Sequence, residues 1–387
     1  MDTNGSAQVL DILDKVAPAE FVPASPHNFV VRPGGSVPAE SLLGDPDVSL
    51  HCLDDEHRLA YFVQAPPGVD LAGGPFLYLD QYRAAQRLVT VPYETLHRLA
   101  DGLPDPARLV LVYSVGRCGS TLLSRALGEV AGVRSYSEPD VFTEIALLRH
   151  EDPGRDAEYA RLIRSCVRVL ANAGSNTGSG GAETLAVKFR ASGIQLGDLF
   201  HEVFPAARGV FLHRDARPWL ESMHQGFTPH LPDPGAQLAF LKYVLAQAPL
   251  IMPFVARHER QPTPTEAYVL TWLSVLDRYR ALRRAGVPLL PVAYEALDAD
   301  PKATLAAVLD HCGLPADGVD AAYATFSADS QEGTVLSRAS RRSNPAAALA
   351  AEDYAQARAV LAEHPVVDPD DPLVRGLVEP QGGPIEP

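Results

Sequence analysis

Between Leu109 and Leu127 the chain reads Leu-Val-Leu-Val-Tyr-Ser-Val-Gly-Arg-Cys-Gly-Ser-Thr-Leu-Leu-Ser-Arg-Ala-Leu, and few local geometries satisfy it. The β-favouring run Leu109–Tyr113 breaks at Gly116 and Gly119, and leucines then recur at helical spacing at 122, 123 and 127. Strand, glycine turn and helix in that order aim several backbone N–H groups and a helix dipole at one anion. Gly116 and Gly119 admit a close backbone approach, and Ser120 and Thr121 add hydroxyls. A nucleoside-triphosphate loop would carry lysine before its Ser-Thr pair, and Gly119 stands there instead. The expected ligand is phosphate-like without being an ordinary triphosphate.

A second strand-to-helix joint follows in Gly209-Val-Phe-Leu-His-Arg-Asp-Ala-Arg-Pro-Trp-Leu-Glu-Ser-Met223. Asp215 is placed to cap the helix, and Pro218 is tolerated in its first turn. Arg214 ends the strand and Ser222 lies about two helical turns beyond it, so the two suit a second anion. A third element, Leu290-Pro-Val-Ala-Tyr-Glu295, runs on to Asp300-Pro-Lys302 and then Cys312-Gly-Leu-Pro315.

In this order, over roughly residues 108–345, the three elements resemble a sulfotransferase that uses 3′-phosphoadenosine 5′-phosphosulfate (PAPS), of the soluble bacterial type. The resemblance implies an α/β fold, a parallel central sheet with helices on both faces in the P-loop manner. It implies that the loop (Gly116, Arg117, Cys118, Gly119, Ser120, Thr121) holds the 5′-phosphosulfate, and that Arg214 and Ser222 hold the 3′-phosphate. Tyr294 corresponds to an adenine-contacting tyrosine, and Arg338, in the basic run Ser337–Arg342, is a candidate for closing over the 3′-phosphate. The family's usual Lys/Gly pattern is not reproduced in that run.

The resemblance also supplies a base and a cation. Glu138 in Val133-Arg-Ser-Tyr-Ser-Glu138-Pro-Asp falls where a second strand ends, at the ligand edge of such sheets. Relatives place there the glutamate that takes the acceptor proton; Asp140 and Glu144 are alternatives. Others use histidine after the lysine-bearing strand, but here that strand reads Leu185-Ala-Val-Lys188-Phe-Arg190. Lys188 corresponds to the lysine that steadies charge on the leaving phosphate. Arg190 is open between a ligand contact and a surface ion pair. Cys118 stands where many relatives have serine, beside Arg117 at a helix start, a setting that favours thiolate. A silent replacement is the other reading.

Alternating strand and helix signals near 109–113, 185–188, 209–213 and 289–293 argue for a parallel sheet. Residues 1–104 differ: short strands such as Phe29–Arg32 and Leu59–Gln64 alternate with Pro33-Gly-Gly and Ala72-Gly-Gly-Pro75, and a helix is expected from Tyr93 to Leu99. They are read as a β-rich module without an assigned role. Residues 105–366 form the sulfotransferase-like domain and 367–387 a disordered tail. Gly174–Gly181 is expected to be a solvated loop, and Thr228–Gly235 a loop bordering the acceptor cleft.

A net charge of −15 argues against a nucleic-acid partner or polyanionic acceptor and leaves a small molecule as the expected acceptor. Four cysteines without metal or disulfide spacing favour a cytoplasmic setting and no metal. No apolar run approaches membrane-spanning length. A P-loop small-molecule kinase and a non-catalytic PAPS-binding protein are the rival functions.

Overall fold

The computed structural model describes residues 5–16, 22–173, 183–226, 234–334, 336–337, 339 and 349–364. The expected loop at 174–181, most of that at 228–235, Arg338 and the tail lie outside them. Pro234 and Gly235 begin a helix, Pro234–Gln247.

Two five-stranded sheets organise the chain. The first is antiparallel, with β1 (Ser6–Lys15), β2 (Phe29–Pro38), β3 (Val48–Asp54), β4 (Leu59–Gln64) and β5 (Arg87–Pro92) in the order β2-β1-β5-β4-β3. Pro33-Gly-Gly, expected as a break, lies inside β2. β2 is an edge strand, where a missing N–H is tolerated, and the pairing slips one residue opposite Val9/Leu10, with Gly35 at φ +116°. The helix Leu77–Ala84 precedes β5, and Tyr93–Asp101 follows it, two residues longer than expected.

The second sheet is parallel. β6 (Arg108–Ser114), β7 (Val133–Ser137), β8 (Thr184–Lys188), β9 (Arg208–His213) and β10 (Leu289–Ala293) stand in the order β10-β9-β6-β8-β7. All five residues of β8 and six of the seven in β6 are buried, as strands covered on both faces must be. The chain steps outward from β6 to β7 and back the other way from β7 through β8 and β9 to β10. Right-handed crossovers therefore put Ser120–Gly128 on one face and the helices between β7 and β10 on the other. The longest helix, Pro264–Arg284, opens with proline at its first position and a capping box. Thr263 Oγ accepts from the Glu266 amide (3.2 Å), and Glu266 accepts from the Thr263 amide (2.8 Å).

The sheets share one apolar core that runs from Val9, Phe62 and Val91 through Leu96 to Val110, Val187 and Phe211. β3 packs on the helices Asp140–Glu151 and Asp156–Ala171, and Tyr93–Asp101 packs on the latter. Specific bonds cross the same boundary. Ala24 N donates to Asp140 (2.8 Å), His97 meets Ser165 (2.8 Å), Arg155 pairs with Asp55 (2.7 Å), and Arg58 pairs with Glu158. This docking carries the helix Leu77–Ala84 to the ligand edge of the parallel sheet.

Candidate active site

Strand order sets the site out along the carboxyl edge of the parallel sheet. Tyr294 follows β10, Arg214 follows β9, the glycine loop follows β6, Lys188 ends β8 and Glu138 follows β7. At about 4.8 Å per strand the row spans about 19 Å. The loop sits where β6 and β9 lie side by side and their connections leave in opposite directions, the switch point at which such sheets open a crevice. A cleft of about 690 Å³ lies there, lined by Gly116, Arg117, Gly119, Ser120, Thr121, Glu138, Lys188, Arg214, Ser222 and Tyr294.

Gly116 (φ +75°), Arg117 (φ +52°) and Gly119 (φ +81°) take left-handed conformations, so the loop turns sharply into the helix Ser120–Gly128. No side chain caps that helix, which leaves its first-turn amides for an anion. The φ of Gly119 favours glycine, and a Cβ there would also lie 3.2 Å from the Tyr294 ring, which would have to give by a few tenths of an ångström. Trp219 Nε1 donates to the carbonyls of Val115 (3.2 Å) and Gly116 (3.0 Å), pinning the loop to the helix after β9. Asp215 begins that helix, its backbone carbonyl accepting from the Trp219 amide (3.0 Å).

The Arg117 side chain turns toward Ser222, which with Arg214 is the pair expected to hold a second anion. Its Nε donates to Ser222 Oγ (3.2 Å) and a terminal nitrogen donates to Gln331 (3.0 Å). Arg214 donates to the Arg117 carbonyl (3.3 Å) and stacks over Tyr294, Cζ 4.6 Å from the ring centre. Its Nε is buried and has no hydrogen-bond partner among the described residues. Glu295 Oε1 accepts from the Asp215 amide (3.3 Å) and so holds the turn rather than lining the cleft.

At the other end Glu138, also left-handed (φ +58°), donates its amide to the Lys188 carbonyl (2.6 Å). This strained backbone turns its side chain onto Lys188, and the carboxylate accepts from Nζ. The side chains of Glu138 and Lys188 are 13% and 5% exposed, so the pair is largely removed from water.

Packing decides three readings left open above. Asp140 is not free to act as a base: its fully buried carboxylate takes two bonds from Arg190 (2.7 and 2.9 Å), one from Thr143 (3.0 Å) and one from Ala24 N. Arg190 is accordingly a buried partner, near the rings of Tyr78 and Tyr243 (4.2 and 5.6 Å to the ring centres), and not a surface one. Cys118 points away from the cleft, fully buried, its Sγ donating to the Leu212 carbonyl (3.5 Å); burial pushes its thiol up to about 11, so thiolate is disfavoured. Burial also lifts the Glu144 carboxyl to about 7, but Glu144 does not line the cleft. All four cysteines are free and buried.

The sequence reading missed Phe76, Tyr78, Leu79 and Arg83, which line the cleft from the antiparallel-sheet side, and Gln331. The clustered Phe76-Leu-Tyr-Leu79 after a glycine-proline break was the available signal. Among the described residues no group of three or more His, Cys, Asp or Glu side chains is placed to hold a metal, and no single helix is long and apolar enough to cross a membrane.

No family model and no curated protein matches the chain. Solved structures do. Sulfotransferase STF1 from Mycobacterium tuberculosis is 18% identical over 60% of this chain and 76% of its own, at a TM-score of 0.36. Sulfotransferase STF9 from Mycobacterium avium is 14% identical over 61% and 71%, at 0.38. A retinol dehydratase in complex with androsterone and the inactive cofactor PAP is 15% identical over 80% and 85%, at 0.28.

Proposed function

We propose that the protein is a PAPS-dependent sulfotransferase acting on a hydroxyl or amine of a small molecule. The observation that carries the reading is the row of groups along the sheet edge. An uncapped helix start without the triphosphate lysine lies between an arginine cluster on the β9 side and a buried Lys188–Glu138 pair on the β8/β7 side. The buried Nε of Arg214 beside Tyr294, without a hydrogen-bond partner among the described residues, suits a nucleotide with a second phosphate on its ribose.

PAPS supplies an activated sulfuryl group, and the acceptor oxygen attacks sulfur while the bond to the phosphate oxygen breaks. The loop amides and the hydroxyls of Ser120 and Thr121 hold the phosphosulfate. Lys188 Nζ donates to the oxygen that leaves with the electron pair, and Glu138 takes the acceptor proton. In the resting pair these two groups satisfy each other. Each must turn to its own partner when donor and acceptor enter between them.

The test is a thermal-shift panel of PAPS, PAP and ATP–magnesium, followed by sulfuryl transfer to phenols. At a hundred times Kd a ligand stabilises by about 2.7 kcal/mol. Stabilisation by PAPS and PAP and not by ATP–magnesium is expected. The reverse pattern would replace this reading with a kinase.

A further inference from the structure

We infer that the antiparallel-sheet module selects the acceptor: Phe76, Tyr78 and Leu79 form one wall of an acceptor site that takes an uncharged apolar hydroxyl compound. The inference rests on the sulfuryl-transfer reading and assigns it a substrate class. If Glu138 and Lys188 are where transfer occurs, the acceptor hydroxyl must reach them from the β8/β7 end, because the arginine cluster occupies the β9/β10 end. What surrounds the pair there is aromatic. The Phe76 ring lies 5.6 Å from Lys188 Nζ and is roughly parallel to Tyr78, centres 6.0 Å apart. Tyr78 lies against Arg190, and so does Tyr243 from the helix Pro234–Gln247.

Charge at this end is already balanced among the described residues. Lys188 pairs with Glu138, and Arg190 pairs with Asp140. Arg83, at the rim, is half exposed and reaches Asp80 (3.7 Å) and the Gly333 carbonyl (3.3 Å). A charged acceptor would lose its hydration against these rings without a counter-charge in return. An apolar body with one hydroxyl would gain by burial and present only the reacting group to Glu138. The wall belongs to a part of the chain that carries none of the nucleotide-site residues, so selectivity for the acceptor is separable from donor binding.

The experiment measures equilibrium binding of 2-naphthol, 1-octanol and glucosamine to the full-length protein loaded with PAP, with PAP affinity measured on the same samples. The naphthol and the octanol should bind and glucosamine should not. Phe76→Ala should weaken naphthol binding about tenfold or more, the scale of one lost aromatic contact surface, while PAP affinity stays within about twofold. Leu79→Glu sets a carboxylate in the wall at a partly exposed position, leaves the packed rings in place, and should weaken naphthol similarly. PAP binding with glucosamine preferred, or with naphthol affinity unchanged in both variants, would overturn the acceptor assignment and leave the donor reading standing. Failure of the native protein to bind PAP would instead remove the reading on which the inference rests.

Discussion

Asp140→Ala separates the frame of the site from its chemistry. The Asp140 carboxylate is fully buried and collects four hydrogen bonds: two from Arg190, one from Thr143 and one from Ala24 N, which belongs to the segment joining β1 and β2. Deleting it strands the Arg190 guanidinium, itself 5% exposed, and breaking a buried pair from one side costs about 3–5 kcal/mol. The orphaned Ala24 amide adds about 1–3 kcal/mol. Glu138 offsets part of this, since its Oε2 is 3.8 Å from Arg190 Nε and becomes that arginine's next carboxylate. The expected loss is therefore about 3–5 kcal/mol. Urea unfolding followed by tryptophan fluorescence reads it directly, because Trp219 and Trp272 are both buried. Asp140→Leu combined with Arg190→Met removes both charges and should recover most of the loss, since a well-packed apolar pair replaces a buried ionic one at little cost. A single substitution costing under about 1 kcal/mol, or a double one as damaging as the single, would refute the account of this pair.

Glu138→Gln keeps the shape of the side chain and removes the proposed proton acceptor. Single-turnover transfer should fall by about 10²–10⁴-fold with PAP affinity retained, and transfer at the native rate would move the base elsewhere. Arg214→Ala should weaken PAP by about 1.5–3 kcal/mol and leave the analogue without the 3′-phosphate nearly unchanged; calorimetry showing equal losses for both ligands would reject the assignment. His97, buried against Ser165, is held down at about 4 by burial. Below about 6.5 the unfolded chain takes up a proton that the folded one refuses, so this contribution is complete above that pH and is lost as the pH falls toward 4. The loss amounts to at most about 3 kcal/mol, and melting temperatures of His97→Gln across pH 4–8 should show a flatter acid limb.

The features legible in the sequence are those written in short stretches of chain. The break at Gly116 and Gly119 between a β-favouring apolar run and a leucine-spaced helix specifies a strand–turn–helix locally. Strands β6, β8, β9 and β10 fell within a residue of where apolar runs and flanking helices placed them. The resemblance pointed to Arg214, Lys188 and Glu138, and each stands at or just after the end of a parallel strand, where a side chain emerges at the sheet's carboxyl edge. Tertiary structure decided what depends on partners far along the chain. Pro33-Gly-Gly reads as a turn by local propensity, but an edge strand has a free side on which a proline costs nothing. Cys118 lies beside a helix start, yet packing against Leu212, 94 residues away, buries it and reverses the expected acidity. Asp140 and Arg190 are 50 residues apart, and only the adjacency of β7 and β8 makes them a pair. The rings beside Lys188 come from the start of the helix Leu77–Ala84, which joins two strands of the antiparallel sheet and is placed by that sheet's docking on the core. Local propensity carries no record of that burial, because the energy belongs to surfaces that meet only when both sheets have formed.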